Sequence, residues 1–399
     1  MGENVREVAE RILFSSSLED KLLLGPRDAE DNCCGKAIRT PQFPERPESL
    51  IIGGRGVRAD FPGPSQITDE KERGVMMHFL ANHELLAAEL MALVLLKFPD
   101  APKDYRAGVY EAMREEQMHT KMYLRRMRDC GISFGELPLN DYFWRIVSSM
   151  DTVIDFVVRM NLTFEQANLD YSKFYAEQFR VIGDTGTAAV LDKIYQDEIN
   201  HVGHGLKWLR HWKKRNHSDW EAFSSSLQFP LSPSRAKGMV PFNTEGRLDA
   251  GFDKEFISQM KISSQSRGRT PVVHWFNPNA ELYSLASVRG VQFSANRFEK
   301  AIEEDLEILM LAWSRKDDIA LFRNVPSVEH LKRLQDMGLQ LPEVMSSHDL
   351  DGRKLGGLRP WAWSGDASDL LKSHRQAVSD RVTWQWREPV PEAWLSKEI

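Results

Sequence analysis

Cysteine is scarce in this chain: three in 399 residues, two of them adjacent (Cys33, Cys34). Three thiols without a Cys-x-x-Cys spacing exclude a disulfide framework and a thiolate zinc site, and the expected location is the reducing cytoplasm. A long apolar run is also missing. The richest window, Leu85–Leu96, is interrupted by Glu89 and falls short of the roughly 20 residues a spanning helix needs. The opening MGENVREVAE has no signal-peptide apolar core, and Arg6 breaks the myristoylation pattern. No membrane contact is expected. A basic excess is absent as well: 52 Lys plus Arg against 58 Asp plus Glu leave a net charge of −6, which argues against a nucleic-acid-binding module. The glycines of IIGGRG (51–56) lack phosphate-loop spacing and read as a turn. The sequon Asn161-Leu162-Thr163 lies inside a helical pattern and carries no weight as a glycosylation site.

What remains is 42% apolar and 28% charged, the make-up of an ordinary globular protein, and its length suggests two or three domains. Residues 5–24 alternate apolar and charged positions at helical spacing, and about 26–68 is a proline-rich loop. Helices are then expected over 72–97, 103–129, 141–182 (broken near Asn168–Asp170) and 185–215. Each is long enough for a bundle helix, and short connections make neighbours antiparallel. The Ser-rich, basic stretch 262–270 reads as a domain linker. Beyond it, strands at Val272–Phe276 and Asp318–Phe322 alternate with helices at 294–313 and 327–338, an α/β pattern. Tryptophans concentrate there, among them Trp361, Trp363, Trp384, Trp386 and Trp394. The expected fold is mainly α: a helical domain over 1–262 built on a four-helix bundle, and a smaller α/β module over 270–399 that recognises a substrate or partner.

Four acids stand where helical periodicity puts apolar residues. Glu84 shares a face with Met77, Ala81, Ala88, Met91 and Leu95, and Glu165 lies near Phe156, Val158, Leu162 and Leu169. The other two begin Glu-x-x-His pairs, Glu116 with His119 and Glu198 with His201, and i, i+3 residues point the same way. Glu84 precedes Glu116 by 32 residues and Glu165 precedes Glu198 by 33. Each half therefore presents a lone Glu and then a Glu-x-x-His, the pattern of a carboxylate-bridged dinuclear metal site in a helical bundle. Four carboxylates balance two divalent ions, and each imidazole supplies one neutral nitrogen. Without metal, four buried carboxylates would cost several kcal/mol each or take up protons. An acid precedes each pair, and outer acids that accept the free imidazole N–H orient metal-bound histidines. Asp197 is thus expected to hold His119, and Glu115 to hold His201. Tyr123 is a candidate redox-active or hydrogen-bonding group, with core packing the alternative. His204 is a candidate extra ligand, with a hydrogen-bonding or surface role the alternative. Glu89 falls about 140° from Glu84 around the helix and is read as a non-ligand, as are His78 and His83.

The stretches HELLAAEL (83–90), EEQMHTKMY (115–123), TFEQANLD (163–170) and DEINHVGHG (197–205), flanked by PERPESL (44–50) and PFNTEGRLDAGF (241–252), resemble an uncharacterised bacterial ferritin-like domain family, distantly related to the ferritin-like tRNA hydroxylases. The resemblance spans roughly residues 5–262. It implies a ferritin-like bundle that holds two Fe ions (alternatively Mn/Fe), with the same six residues as ligands and O2 as co-substrate. His204 departs from it, standing where a small residue is expected. The C-terminal region weakly resembles the segment preceding ATP-grasp domains, without the lobes that carry a phosphate loop and magnesium carboxylates, so no ATP binding is expected. The expected function is a dinuclear non-haem iron oxidase or oxygenase acting on a small molecule or a modified residue. The expected partners are a small-molecule or peptide substrate, an electron donor and a separate ATP-grasp-type enzyme, with no nucleic acid. The alternatives are a non-catalytic metal-binding scaffold, and iron storage or peroxide detoxification.

Overall fold

The structure is a computed structural model and describes residues 3–32, 34–53, 61–228, 231–263, 270–346, 350 and 353–378. The chain forms two compact units, one of Met1–Leu227 with Arg235–Lys254, the other of Gln228–Ser234 with Glu255–Ile399.

The first unit is helical. A capping box between Asn4 and Glu7 starts α1 (Val5–Phe14), which is followed by α2 (Leu18–Leu22). Asp69 caps α3 (Glu70–Lys97), and a short connection through Pro99 and Pro102 turns the chain back into α4 (Lys103–Asp129). Then come α5 (Tyr142–Val147), α6 (Val153–Phe156), a π-helix over Val157–Glu165, and α7 (Gln166–Val181). Helix α8 (Thr185–Trp212) follows Gly183, whose φ of 83° suits a residue without Cβ. The unit closes with α9 (Asp219–Ser226) and α10 (Thr244–Asp249). Helix α3 packs along α4, α8 packs along α7 and the π-helix, α4 meets α8, and α1 covers another side of α3.

Helix α3 is buried on every side over its second half. All residues from Glu84 to Leu96 are buried, as expected of a helix packed on several faces. Its length and hydropathy would suit a membrane span, but 83% of its apolar window is buried inside the unit. The third long segment departs from expectation. Its break lies at Ser148–Thr152, where Thr152 forms a capping box with Asp155 and starts a new helix, and α7 runs unbroken through Asn168–Asp170.

The second unit opens with α11 (Lys254–Ile262) and centres on a parallel sheet of β1 (Val272–Trp275), β2 (Ile319–Leu321), β3 (Glu343–Met345) and β4 (Gly357–Pro360), in the order β3-β2-β1-β4. Val273 pairs with Ile319 on one side and Leu358 on the other. Its helices are α12 (Ala280–Val288), α13 (Arg297–Leu306), α14 (Leu309–Trp313), α15 (Val328–Asp336) and α16 (Gly365–Leu371). Both sheet faces are covered: Val273, Ile319 and Leu358 pack with Leu371, while Ala320 and Phe322 pack with Met310 and Leu331. The expected strands near 272–276 and 318–322 are β1 and β2. Most of the expected linker, together with Trp384, Trp386 and Trp394, lies outside the described residues.

Two buried ionic clusters pin the helical unit. Glu89 meets Arg46 at 2.6 Å and Lys21 at 3.1 Å, all three out of solvent, and Arg46 also donates to Asn82 (3.0 Å). Asp170 receives Arg247 through two hydrogen bonds of 2.6 and 2.9 Å and accepts the backbone N–H groups of Gly238 and Asn243. Both charges of the second pair are fully buried, so removing one strands the other. Asp170→Asn is expected to cost the full-length chain about 3–5 kcal/mol, read as a lower urea midpoint with the helical circular-dichroism signal intact in buffer.

Candidate metal centre

The long helices of the first unit carry the six predicted ligand residues to one buried place. Glu84 comes from α3, Glu116 and His119 from α4, Glu165 from the end of the π-helix, and Glu198 and His201 from α8. None is more than 5% exposed. Ligand atoms of Glu84, Glu116 and His119 lie within 4.8 Å of one another, as do those of Glu116, Glu165, Glu198 and His201. Glu116 belongs to both groups. One oxygen lies 3.5 Å from His119 Nδ1 and the other 3.2 Å from His201 Nδ1, and the two imidazole rings are 6.1 Å apart. The two halves of the sequence pattern thus converge on one carboxylate.

The outward nitrogens are held as the sequence predicts. His119 Nε2 meets Asp197 Oδ2 at 2.8 Å, and His201 Nε2 meets Glu115 Oε2 at 2.7 Å. Each acid comes from the helix opposite its histidine, so α4 and α8 are cross-linked twice. Lys193 in turn binds Asp197. An acid at Nε2 keeps the proton there and leaves Nδ1 as the nitrogen directed inward.

Inside, the atoms lack partners. Both oxygens of Glu116, Oε1 of Glu165, Oε2 of Glu198 and Nδ1 of both histidines are buried without a hydrogen bond. Buried polar groups are nearly always satisfied, so this convergence marks a place built for something that takes all of these lone pairs. Oxygen and imidazole donors of this mixture suit a divalent transition metal, and the cluster could hold a metal ion.

Without a metal, burial and mutual proximity shift the proton affinities of the cluster. Burial, helped by the charge of Glu116, pushes Glu84 well above the usual carboxylate range. Burial likewise raises Glu198, and raises Glu165 to about 8. Burial alone would lower the two histidines. The nearby carboxylates, Asp197 and Glu116 for His119 and Glu115 and Glu116 for His201, outweigh it and hold both well above their ordinary value. Only Glu116 is displaced downward: burial opposes its ionisation, but the Glu84 carboxyl and the two imidazoles beside it win.

Two amides beside the carboxylates were not read from the sequence as site residues. Asn161 Nδ2 donates to Glu165 (2.7 Å) and Asn168 Nδ2 to Glu198 (2.6 Å). Their signal was positional: Asn161 precedes Glu165 by four residues and Asn168 follows it by three, the spacings of one helix face. The π-helix that carries Asn161 and Glu165 is a rare element concentrated at functional sites.

The remaining candidates lie outside the cluster. Tyr123 is a core aromatic packed with Met77, Met127 and Phe179, close enough that Glu84 and Glu198 add to the burial that raises its hydroxyl. His204 stacks on Tyr105 with centroids 5.6 Å apart, and burial lowers it to about 4; it is in neither ligand group. Glu89 belongs to the Arg46–Lys21 cluster. His78 accepts the Gly135 N–H, and His83 pairs with Asn140 and stacks on Phe143. A cavity of about 270 Å³ between α4 and α8 reaches His201 and Asn161 from outside.

Fold and site together define a helical protein with a buried carboxylate–imidazole centre of two linked subsites. Residues 6–258 match the family described as "Protein of unknown function (DUF455)", and the chain belongs to that family. No curated protein and no solved structure matches it.

The proton load sets a pH dependence. Glu165 binds a proton in the folded chain up to about 8 and, unfolded, only below about 4.5. Below 6.5 the lowered histidines His78, His83 and His204 act in the opposite sense, so it is above 6.5 that the folded state holds more protons and metal-free stability falls as pH rises. The raised histidines add to the same trend above 6.5. Thermal midpoints of the metal-free chain are expected to drop from about pH 6.5 to 8, and saturating Zn²⁺ to abolish or reverse that slope, because metal and protons compete. Asp197→Asn and Glu115→Gln are each expected to weaken Zn²⁺ binding roughly 10–100-fold, measured by competition with a chromophoric chelator.

Proposed function

We propose that this protein is a dinuclear non-haem iron oxidase or oxygenase with a ferritin-like four-helix bundle, which uses O2 to hydroxylate or otherwise oxidise a small molecule or a modified residue. The observation that carries this reading is the set of buried, unpartnered oxygens and imidazole nitrogens converging on Glu116. The donor set fits the group. Glu84, Glu116 and His119 would hold one ion and Glu165, Glu198 and His201 the other, with Glu116 between them. Two irons, or manganese and iron, would supply the redox chemistry that reduces dioxygen.

The chain's own part is placement. Asp197 and Glu115 fix the imidazole orientation and keep Nδ1 free of its proton in the loaded state. Asn161 and Asn168 each hold one oxygen of Glu165 and Glu198, limiting how those carboxylates swing. Leu85, Ala88, Met91 and Leu162, all buried, exclude water from the surroundings, which strengthens every electrostatic interaction inside. Electrons come from a separate donor. The second unit serves substrate or partner recognition, an ATP-grasp-type enzyme being the candidate partner, and the setting is the cytoplasm.

Protein from iron-supplemented cells is expected to contain roughly two transition-metal ions per chain and Glu116→Ala fewer than about one, by elemental analysis. Fewer than one ion in the native chain, unchanged by that substitution, overturns the reading. After anaerobic Fe(II) loading, O2 uptake above that of free iron identifies an oxidase; metal without such uptake identifies a scaffold.

A further inference from the structure

The cavity beside His201 has a defined chemistry. Its deep end is made by Met91 of α3 and Phe156 of α6, each no more than 1% exposed, and its side by Val109 and Ala112 of α4. At the rim, Gly108 makes room for the His204 ring, which a Cβ there would approach to 2.1 Å. The inner polar feature is Asn161. Its amide nitrogen is committed to Glu165, while Oδ1 is buried with no partner. The residue is 3% exposed and lines the cavity. Its position is fixed by Gly205, where any Cβ would lie 2.3 Å from that of Asn161.

The interior offers no uncommitted charge. Among the described residues no Lys or Arg lines the cavity, and its two acids are already engaged, Glu111 with Arg114 and Glu115 with His201. An anion would meet two carboxylates and a His201 ring already flanked by Glu115 and Glu116, and an ammonium would find no uncommitted acid. An apolar body is favoured by the walls. A donor group is favoured by the Asn161 oxygen, since leaving a buried acceptor unpaired costs about 1–3 kcal/mol.

We propose that this cavity is the substrate pocket of the centre, and that it takes a small, uncharged molecule with an apolar body whose single O–H or N–H group donates to Asn161 Oδ1. This rests on the metal-centre reading above and adds the substrate class to it. Because Asn161 also grips Glu165, a bound donor sits one amide group away from a carboxylate of the centre. Occupancy of the pocket is thereby sensed at Glu165.

Calorimetry on the full-length, metal-free chain at pH 7 tests the idea with p-cresol, toluene and p-toluate, which share one ring and differ in donor and charge. The expected result is p-cresol binding, with toluene and p-toluate at least tenfold weaker. Ala112→Trp, which fills the side wall, should abolish p-cresol binding while zinc loading persists, and the smaller Ala112→Leu should weaken it if the tryptophan variant does not fold. Asn161→Ala should bring p-cresol down to the affinity of toluene. Absence of p-cresol binding, p-toluate binding as tightly, or indifference to both Ala112 variants overturns the pocket. A chain that takes zinc but no p-cresol sinks the pocket alone. One that takes p-cresol in an Ala112-dependent way but no metal sinks the metal reading alone.

Discussion

Four carboxylates held away from water are the constraint around which the helical unit is arranged. An isolated buried carboxylate is costly enough that it normally gives up its charge. Here Glu84, Glu116, Glu165 and Glu198 face one another, so mutual repulsion adds to desolvation. Burial raises Glu84, Glu165 and Glu198, while Glu116, between the two imidazoles, is displaced the other way. Everything in contact with the cluster follows from that constraint. Outer acids stabilise the rings, asparagine amides hold single oxygens, and α4 and α8 exchange acid–histidine bonds that fix their register.

The flanking segments serve the same end from a distance. Arg46, from the loop ahead of α3, reaches Glu89, and Arg247, from α10, reaches Asp170. Those two acids sit on α3 and α7, each five positions after its nearest inward glutamate, Glu84 or Glu165. Burial does not distinguish the acids: Glu89 and Asp170 are as inaccessible as Glu84 and Glu165. Their partners do. An acid with an arginine bonded to it is a structural tie, whereas an acid whose neighbours are other acids and imidazoles is a site residue.

This difference explains what the sequence disclosed. Glu-x-x-His is a local signal, since i, i+3 geometry is set by the helix itself, and two copies at matched spacing announce their convergence. The crossed acid–histidine bonds were legible because Glu115 and Asp197 stand next to those copies. The helices α3, α4 and α8 were legible because their caps and terminators are local too. What remained hidden depends on partners remote in sequence: the Glu89 cluster, which draws on Lys21 and Arg46, and the all-round burial of α3, which needs α1. The break before α6 was misplaced because Asn168 and Asp170 look like helix breakers, and their side chains are used instead for Glu198 and Arg247. In the second unit β3 and β4 are no shorter than β1 and β2, but the acid of Glu343–Met345 and the glycine, arginine and proline of Gly357–Pro360 hide the apolar run that marks a strand. The π-helix has no signature in composition at all.

That π-helix couples folding to the site in an unusual way. A π turn carries one residue more than an α turn, at some cost in hydrogen-bond geometry and packing along the axis. Losing a single residue between Val157 and Leu162 would let the segment relax into an ordinary α-helix, and each residue of register turns a helix by about 100°. Either Glu165 would leave the cluster, or everything before it would rotate, Phe156 and the deep end of the cavity included. A regular helix over this stretch and the clustered position of Glu165 exclude one another. The irregular turn is what lets the carboxylate and the deep end of the cavity face the same interior.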